Sequence, residues 1–236
     1  MERCHFLSLN MKTSRFLLVL FLQVFFCQES FSQQIPFQDE VNQLTARIDS
    51  IGWKKGSIVF TGSSSIRMWK NLQEEFPDIP LINTGFGGSQ ASDLLLHLES
   101  LVLRYEPIAV FIYEGDNDVN AGKSPEVILK DLDEILHRLN DQRDGISIYF
   151  IGAKPSPSRW QLKAEYEAFN KALEEYTEGM IHATYVNVWN PMLDSSGYLR
   201  PELFLGDMLH MKPEGYRIWK EQIITPLKVW EEVYKK

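Results

Sequence analysis

The sequence predicts one α/β domain, a three-layer α/β/α sandwich with a central parallel five-stranded sheet. Three observations carry that expectation. Short β-branched or aromatic runs alternate with longer stretches of helical period, the pattern of parallel strands joined by crossover helices. The short runs are apolar throughout, as strands buried on both faces are. A polar, glycine-containing segment follows each of the first three runs.

Taken in order, a helix from about Phe37 to Ile51 precedes the sheet and packs across its outside. The expected strands are Ser57 to Phe60, Pro80 to Asn83, Ile108 to Tyr113, Ile146 to Ile151 and Thr184 to Val188. Ser92 to Glu99, Pro125 to Leu139, Leu162 to Tyr176 and Pro213 to Val233 carry one apolar face at helical spacing. Pro125 and Pro213 suit first-turn positions, where a missing N–H costs nothing. No repeat, low-complexity stretch or linker interrupts the series.

The N-terminus reads as an export signal. Lys12 and Arg15 precede the apolar run Phe16 to Phe26, and small residues around Ser30 and Ser32 suit signal peptidase. The expected division is residues 1–32 as signal peptide and 33–236 as the working domain, periplasmic or secreted. The apolar run is short for a bilayer crossing, so no stable membrane insertion is expected. Bulky Phe25 and Phe26 disfavour lipidation at Cys27. Both cysteines, Cys4 and Cys27, fall in the removable segment, so the working domain has neither disulfides nor thiolate-bound zinc. About 200 residues remain, enough for one full hydrophobic core. With 24 Lys and Arg against 32 Asp and Glu, the net charge of −8 disfavours nucleic acid and anionic lipid as partners.

Chemistry concentrates in two distant segments, Thr61-Gly62-Ser63-Ser64-Ser65-Ile66 and Asp207-Met208-Leu209-His210. A serine hydroxyl is a weak nucleophile until a base takes its proton, and that base needs a third group to fix its tautomer. An aspartate three residues before a histidine meets that need within one turn. Acyl transfer to water through a serine ester is the chemistry suggested. Such a reaction needs donors aimed at a developing oxyanion. Gly88, just ahead of a helix expected to start near Ser89, Asn117 with its side-chain NH₂, and the N–H of Ser64 can supply them. All three follow strands, at the carboxyl edge where open parallel sheets bind ligands.

Four ordered blocks, Phe60 to Ile66, Asn83 to Gly88, Glu114 to Asp118 and Asp207 to His210, resemble those of the SGNH (GDSL-type) hydrolase family. The resemblance spans nearly all of residues 33–236. It implies Ser64 as nucleophile, Gly88 and Asn117 as oxyanion donors, His210 as base and Asp207 as its orienting acid. It also implies a flavodoxin-like fold and no cofactor. Ser63 stands where the family usually has aspartate, which leaves three adjacent hydroxyls. Aligning Gly62 with the family's glycine selects Ser64 and puts Trp69 where an aromatic residue is frequent.

Other residues have plainer readings. His97 and His137 sit at helical spacing as packing or solvated positions, and His182 lies in a turn; none has a carboxylate at metal-ligand spacing, so no metal is expected. Asp118 and Glu114 read as groups that hold the third loop in shape around Asn117. Lys154 to Trp160 is a stiff segment ending in a cation and an indole at the active edge, with Trp160 a candidate wall of the substrate pocket. The function expected is an exported serine esterase cleaving short, acetyl-like esters from a small molecule or a glycan. A lysophospholipase or thioesterase with the same site, or an idle glycan-binding module, are the alternatives. Oligomeric state is not legible.

Overall fold

The computed structural model describes residues 35–234, with side chains to residue 228. The expected signal peptide lies outside the described residues. Five strands, β1 (Ile58–Gly62), β2 (Leu81–Asn83), β3 (Ala109–Tyr113), β4 (Ser147–Ile151) and β5 (Ala183–Val186), form one parallel sheet in the order β2-β1-β3-β4-β5. That order reverses direction between β1 and β3, so a crevice opens beyond their carboxyl ends.

The helices are α1 (Gln38–Ile51), α2 (Ser64–Arg67), α3 (Leu72–Glu75), α4 (Ala91–Leu101), α5 (Asp116–Asn120), α6 (Pro125–Gln142), α7 (Lys163–Thr177) and α8 (Pro213–Tyr234). Alternation along the strands sorts the core into two layers. Val59, Val110, Ile112, Ile148 and Phe150 pack with side chains of α1, α4, α6 and α7, such as Val41, Leu94, Leu132 and Phe169. Phe60, Phe111, Tyr113, Tyr149 and Ile151 face the other way, against Trp69, Leu72, Trp219 and Ile223.

Register reinforces that second layer. Phe60 pairs with Phe111, and Phe111 with Tyr149, across β1, β3 and β4. Their rings stack at centroid distances of 4.5 and 4.4 Å. Fully burying a large apolar side chain stabilises by about 1.5–3 kcal/mol, and stacking adds to it. The strands that carry the site are thereby held at fixed spacing.

Three local features differ from the sequence expectation. Ser64–Arg67 and Asp116–Asn120 are single helical turns where loops were expected. Both are too short and too polar to show a periodicity. The helix expected near Ser89 begins instead at Ala91, because the N–H of Gln90 is held by Asp93 Oδ2 at 2.9 Å. Gly88, expected just ahead of the helix, lies three residues before its first residue.

Candidate active site

The turn after β1 is forced by its glycine. Gly62 has φ 121°, and a Cβ there would fall 2.1 Å from the carbonyl oxygen of Tyr113 on β3. Ser63 N–H donates to that carbonyl at 3.0 Å, and α2 begins at the next residue. Ser63 and Ser65 are buried, so of the three hydroxyls the turn presents that of Ser64. From behind, Tyr216 on α8 donates its hydroxyl to the Ser65 carbonyl at 2.8 Å. Trp69 packs on the Tyr216 ring at 5.2 Å, so the aromatic residue of the first block braces the serine turn.

The histidine arrives on a loop closed by an antiparallel bridge between Phe204 and Met211. Leu205 N–H donates to the His210 carbonyl at 2.7 Å, and Met208 takes a left-handed backbone, φ 56°. This turn lets Asp207 fold back on its own loop. Asp207 Oδ1 accepts the N–H groups of Leu209 and His210 at 3.0 and 2.9 Å, and Oδ2 lies 2.6 Å from His210 Nδ1. His210 Nε2 lies 2.9 Å from Ser64 Oγ.

Partial burial raises the Asp207 pKa, but the hydrogen bonds from the His210 ring and the two N–H groups outweigh it and hold the carboxyl at about 2. A charged acceptor at Nδ1 favours the tautomer that leaves Nε2 free to accept from the serine. The Asp207 side chain is 48% exposed and that of His210 21%, so solvent screens their attraction. The contact orients the ring more than it stabilises the fold.

Two further loops meet the serine turn. Asn117, in α5 after β3, donates from Nδ2 to the Ser89 carbonyl at 2.8 Å, which joins it to the loop after β2. A Cβ built on Gly88 would lie 3.9 Å from that Nδ2 and meet nothing closer. Gly88 and Asn117 thus border one space. Asp118 caps their support, accepting from the N–H of Ala91 at 3.1 Å, of Gly115 at 3.2 Å and from Lys123 Nζ at 2.8 Å. Glu114 is buried, and burial pushes its pKa well above the carboxylate range; Ser89 Oγ donates to its Oε1 at 2.7 Å.

Sequence reasoning did not anticipate the charge cluster beneath Asn117. Asp116 is buried and accepts from Lys154 Nζ at 2.8 Å, Arg159 Nη1 at 2.6 Å, Tyr113 Oη at 2.7 Å and Tyr166 Oη at 2.7 Å. Burial opposes its charge, yet the two cations hold its carboxyl far below the usual range. The one available signal was the cation-bearing segment Lys154 to Trp160 after β4. Trp160 itself is half-buried in a 3₁₀ turn, Pro157–Leu162, with its ring 6.0 Å from that of Trp189 and Lys163 Nζ 5.2 Å from its centre.

Two other histidines are engaged elsewhere: His97 is buried with Nε2 2.6 Å from the Pro36 carbonyl, and His137 lies 3.5 Å from Asp133. A groove of about 460 Å³ runs along edge strand β2, lined by Arg47, Trp53, Arg67, Lys70 and Leu81. Ser64, Asn117 and His210 do not border it, so the convergent polar groups lie at the open rim instead. Among the described residues no group of three or more His, Cys, Asp or Glu has metal-holding geometry, and no helix is long and apolar enough to cross a membrane.

The five-stranded parallel sheet flanked by helices is the fold of GDSL-type hydrolases, and Ser64, His210 and Asp207 stand in hydrogen-bonded series at its carboxyl rim. The chain belongs to the GDSL-like lipase/acylhydrolase family, whose model matches residues 49–218. It is accordingly a hydrolase of ester bonds. Solved structures share the fold. A Streptococcus pneumonia protein provisionally assigned as a platelet activating factor superposes with TM-score 0.72 at 19% identity, covering 93% of this chain and 100% of that one. A GDSL-like lipase from Bacteroides thetaiotaomicron gives 0.67 at 20% identity, with 80% and 97% covered. An acetylxylan esterase from Geobacillus stearothermophilus, solved as a catalytic mutant, gives 0.56 at 16% identity, with 74% and 94% covered. Among curated proteins no sequence match is found.

Proposed function

We propose that this protein is an exported esterase that removes short, acetyl-like acyl groups from a sugar hydroxyl or another small alcohol. The single observation that carries the reaction is the 2.9 Å contact between His210 Nε2 and Ser64 Oγ, with Asp207 behind the ring. In this reading Ser64 Oγ attacks the ester carbonyl as its proton passes to His210 Nε2. The carbonyl oxygen becomes an oxyanion, held by the N–H of Ser64, the N–H of Gly88 and the side-chain amide of Asn117. As the tetrahedral species collapses, the bond to the alcohol oxygen breaks and His210 returns the proton to that oxygen.

Water then attacks the acyl-serine and gives a proton to His210. The second collapse breaks the bond to Ser64 Oγ, which regains its proton as the acid leaves. Each group ends as it began, so the chemistry calls for no cofactor. Export rests on the pattern in residues 1–32. The preference for acetyl rests on the open rim, where Asp207 and His210 meet solvent, and on the fold likeness to the acetylxylan esterase. Trp160 is proposed as one wall beside the bound alcohol.

Purified residues 33–236 should react covalently with a fluorophosphonate, and Ser64→Ala should abolish that labelling. Turnover should be highest on p-nitrophenyl acetate, fall with longer acyl chains, and extend to acetylated xylan or related glycans. Preference for long chains or lysophospholipid would replace the acetyl assignment. Glycan binding with neither labelling nor turnover would leave only a binding module.

A further inference from the structure

We propose that Arg159 is the positioning residue that fixes the side-chain amide of Asn117, and with it the aim of the oxyanion donor; this rests on the esterase reading above. A carboxamide can rotate to exchange its oxygen and nitrogen ends, and only one orientation turns an N–H toward the space it shares with Gly88. Arg159 settles the choice. Its Nη2 donates to Asn117 Oδ1 at 2.9 Å, and a guanidinium has donors only. The opposite end of the amide donates from Nδ2 to the Ser89 carbonyl at 2.8 Å. In a flipped amide, donor would face donor at Arg159 and acceptor would face acceptor at Ser89. One Nδ2 hydrogen is used by Ser89, which leaves the second for the space bordered by Gly88.

The guanidinium is itself fixed. Arg159 Nη1 donates to Asp116 Oδ1 at 2.6 Å, to the Asp116 carbonyl at 3.0 Å and to Tyr166 Oη at 3.3 Å. Lys154 Nζ occupies the other Asp116 oxygen at 2.8 Å. With its side chain only 12% exposed and both Nη atoms engaged by Asp116, Tyr166 and Asn117, Arg159 is spent on this frame and not offered to substrate. The same turn also reaches the base: Ser158 N–H donates to the carbonyl of Met208, between Asp207 and His210. One short segment after β4 therefore touches both the oxyanion side and the proton-transfer side of the site.

A double-mutant cycle on p-nitrophenyl acetate tests the assignment. Arg159→Gln should lower kcat about tenfold or more with KM within about twofold, since the lost interaction is one that strengthens with the oxyanion. In an Asn117→Ala background, where no amide remains to be aimed, Arg159→Gln should change kcat by less than about twofold. Arg159→Lys keeps the ion pair with Asp116 but lacks the planar fork, so it should restore thermal stability and not kcat. Should the Gln variant not fold, the Lys variant carries the same cycle. Equal losses in both backgrounds, or an unchanged kcat, would overturn the proposal. Fluorophosphonate labelling of the wild type separates the two levels: labelling with an additive cycle removes only the role of Arg159, whereas no labelling removes the esterase reading and this role together.

Discussion

Ser64 Oγ and His210 Nε2 meet at 2.9 Å although 146 positions separate them in the chain. The contact selects one hydroxyl among three. Ser63 and Ser65 are buried beside it, and Ser65 engages α8 through its backbone carbonyl and not through its side chain. Ser64→Ala is expected to reduce esterase turnover to background, while Ser63→Ala retains measurable activity. The opposite pattern in a p-nitrophenyl acetate assay would shift the nucleophile by one residue.

The space between Gly88 and Asn117 yields a prediction of separable effects. Asn117→Ala should cost kcat on the order of 10²-fold, the usual loss for one oxyanion donor. Gly88→Ala should fold normally, because an added Cβ meets nothing closer than Asn117 Nδ2 at 3.9 Å, yet it should slow turnover by crowding the oxyanion. Circular dichroism with steady-state kinetics checks both; full activity in either variant would remove that residue from the site.

Asp207 is held at about 2 by the hydrogen bonds it accepts, so it remains ionised across the working range of an esterase. Activity lost at a pH well above that value then does not report protonation of this carboxylate. The linkage has a definite sign. A lowered carboxyl contributes stability above its unfolded value, near 3.9, and loses it as pH falls through the folded one. Asp207→Asn should lower kcat about 10²- to 10⁴-fold by letting the ring choose the wrong tautomer. Because the side chain is half exposed, its melting temperature at neutral pH should change little.

Glu114 should show the reverse dependence. Burial lifts its pKa, Ser89 donates to one oxygen, and the other oxygen has no hydrogen-bond partner. A raised carboxyl binds its proton more tightly in the folded state, so stability declines as pH rises above the unfolded value near 4.3. Glu114→Gln keeps an acceptor for Ser89 and carries no charge. Its melting temperature should gain on that of the wild type as pH rises above that unfolded value, and a constant difference would show that Glu114 is not the titrating group.

These predictions draw on residues that differ in how plainly the sequence displays them. The central strands were legible because apolar runs such as Ala109 to Tyr113 leave few other ways to bury both faces, whereas the edge strands β2 and β5 keep partly exposed residues. The proximity of Asp207 to His210 was legible too, since three residues of separation close within one turn. The turns at Ser64–Arg67 and Asp116–Asn120 were not, because four or five residues with a single apolar one among them carry no period. Nor was the link from Arg159 to Asp116 and Asn117, whose partners stand 43 and 42 positions away and are joined only by the packing of β3 beside β4. Sequence shows where a cation lies along the chain, while its partner is a property of the sheet order.

The loop that bears His210 enters the sequence after all five strands are complete, and it is tied down by Phe204, Met211 and the last helix. The same last stretch carries Tyr216, which braces the serine turn, and Trp219 and Ile223, which cover one face of the sheet. The proposed base and the support of the proposed nucleophile thus depend on one C-terminal segment, so a chain ending before residue 207 should lose esterase activity and the packing of that face of the sheet together.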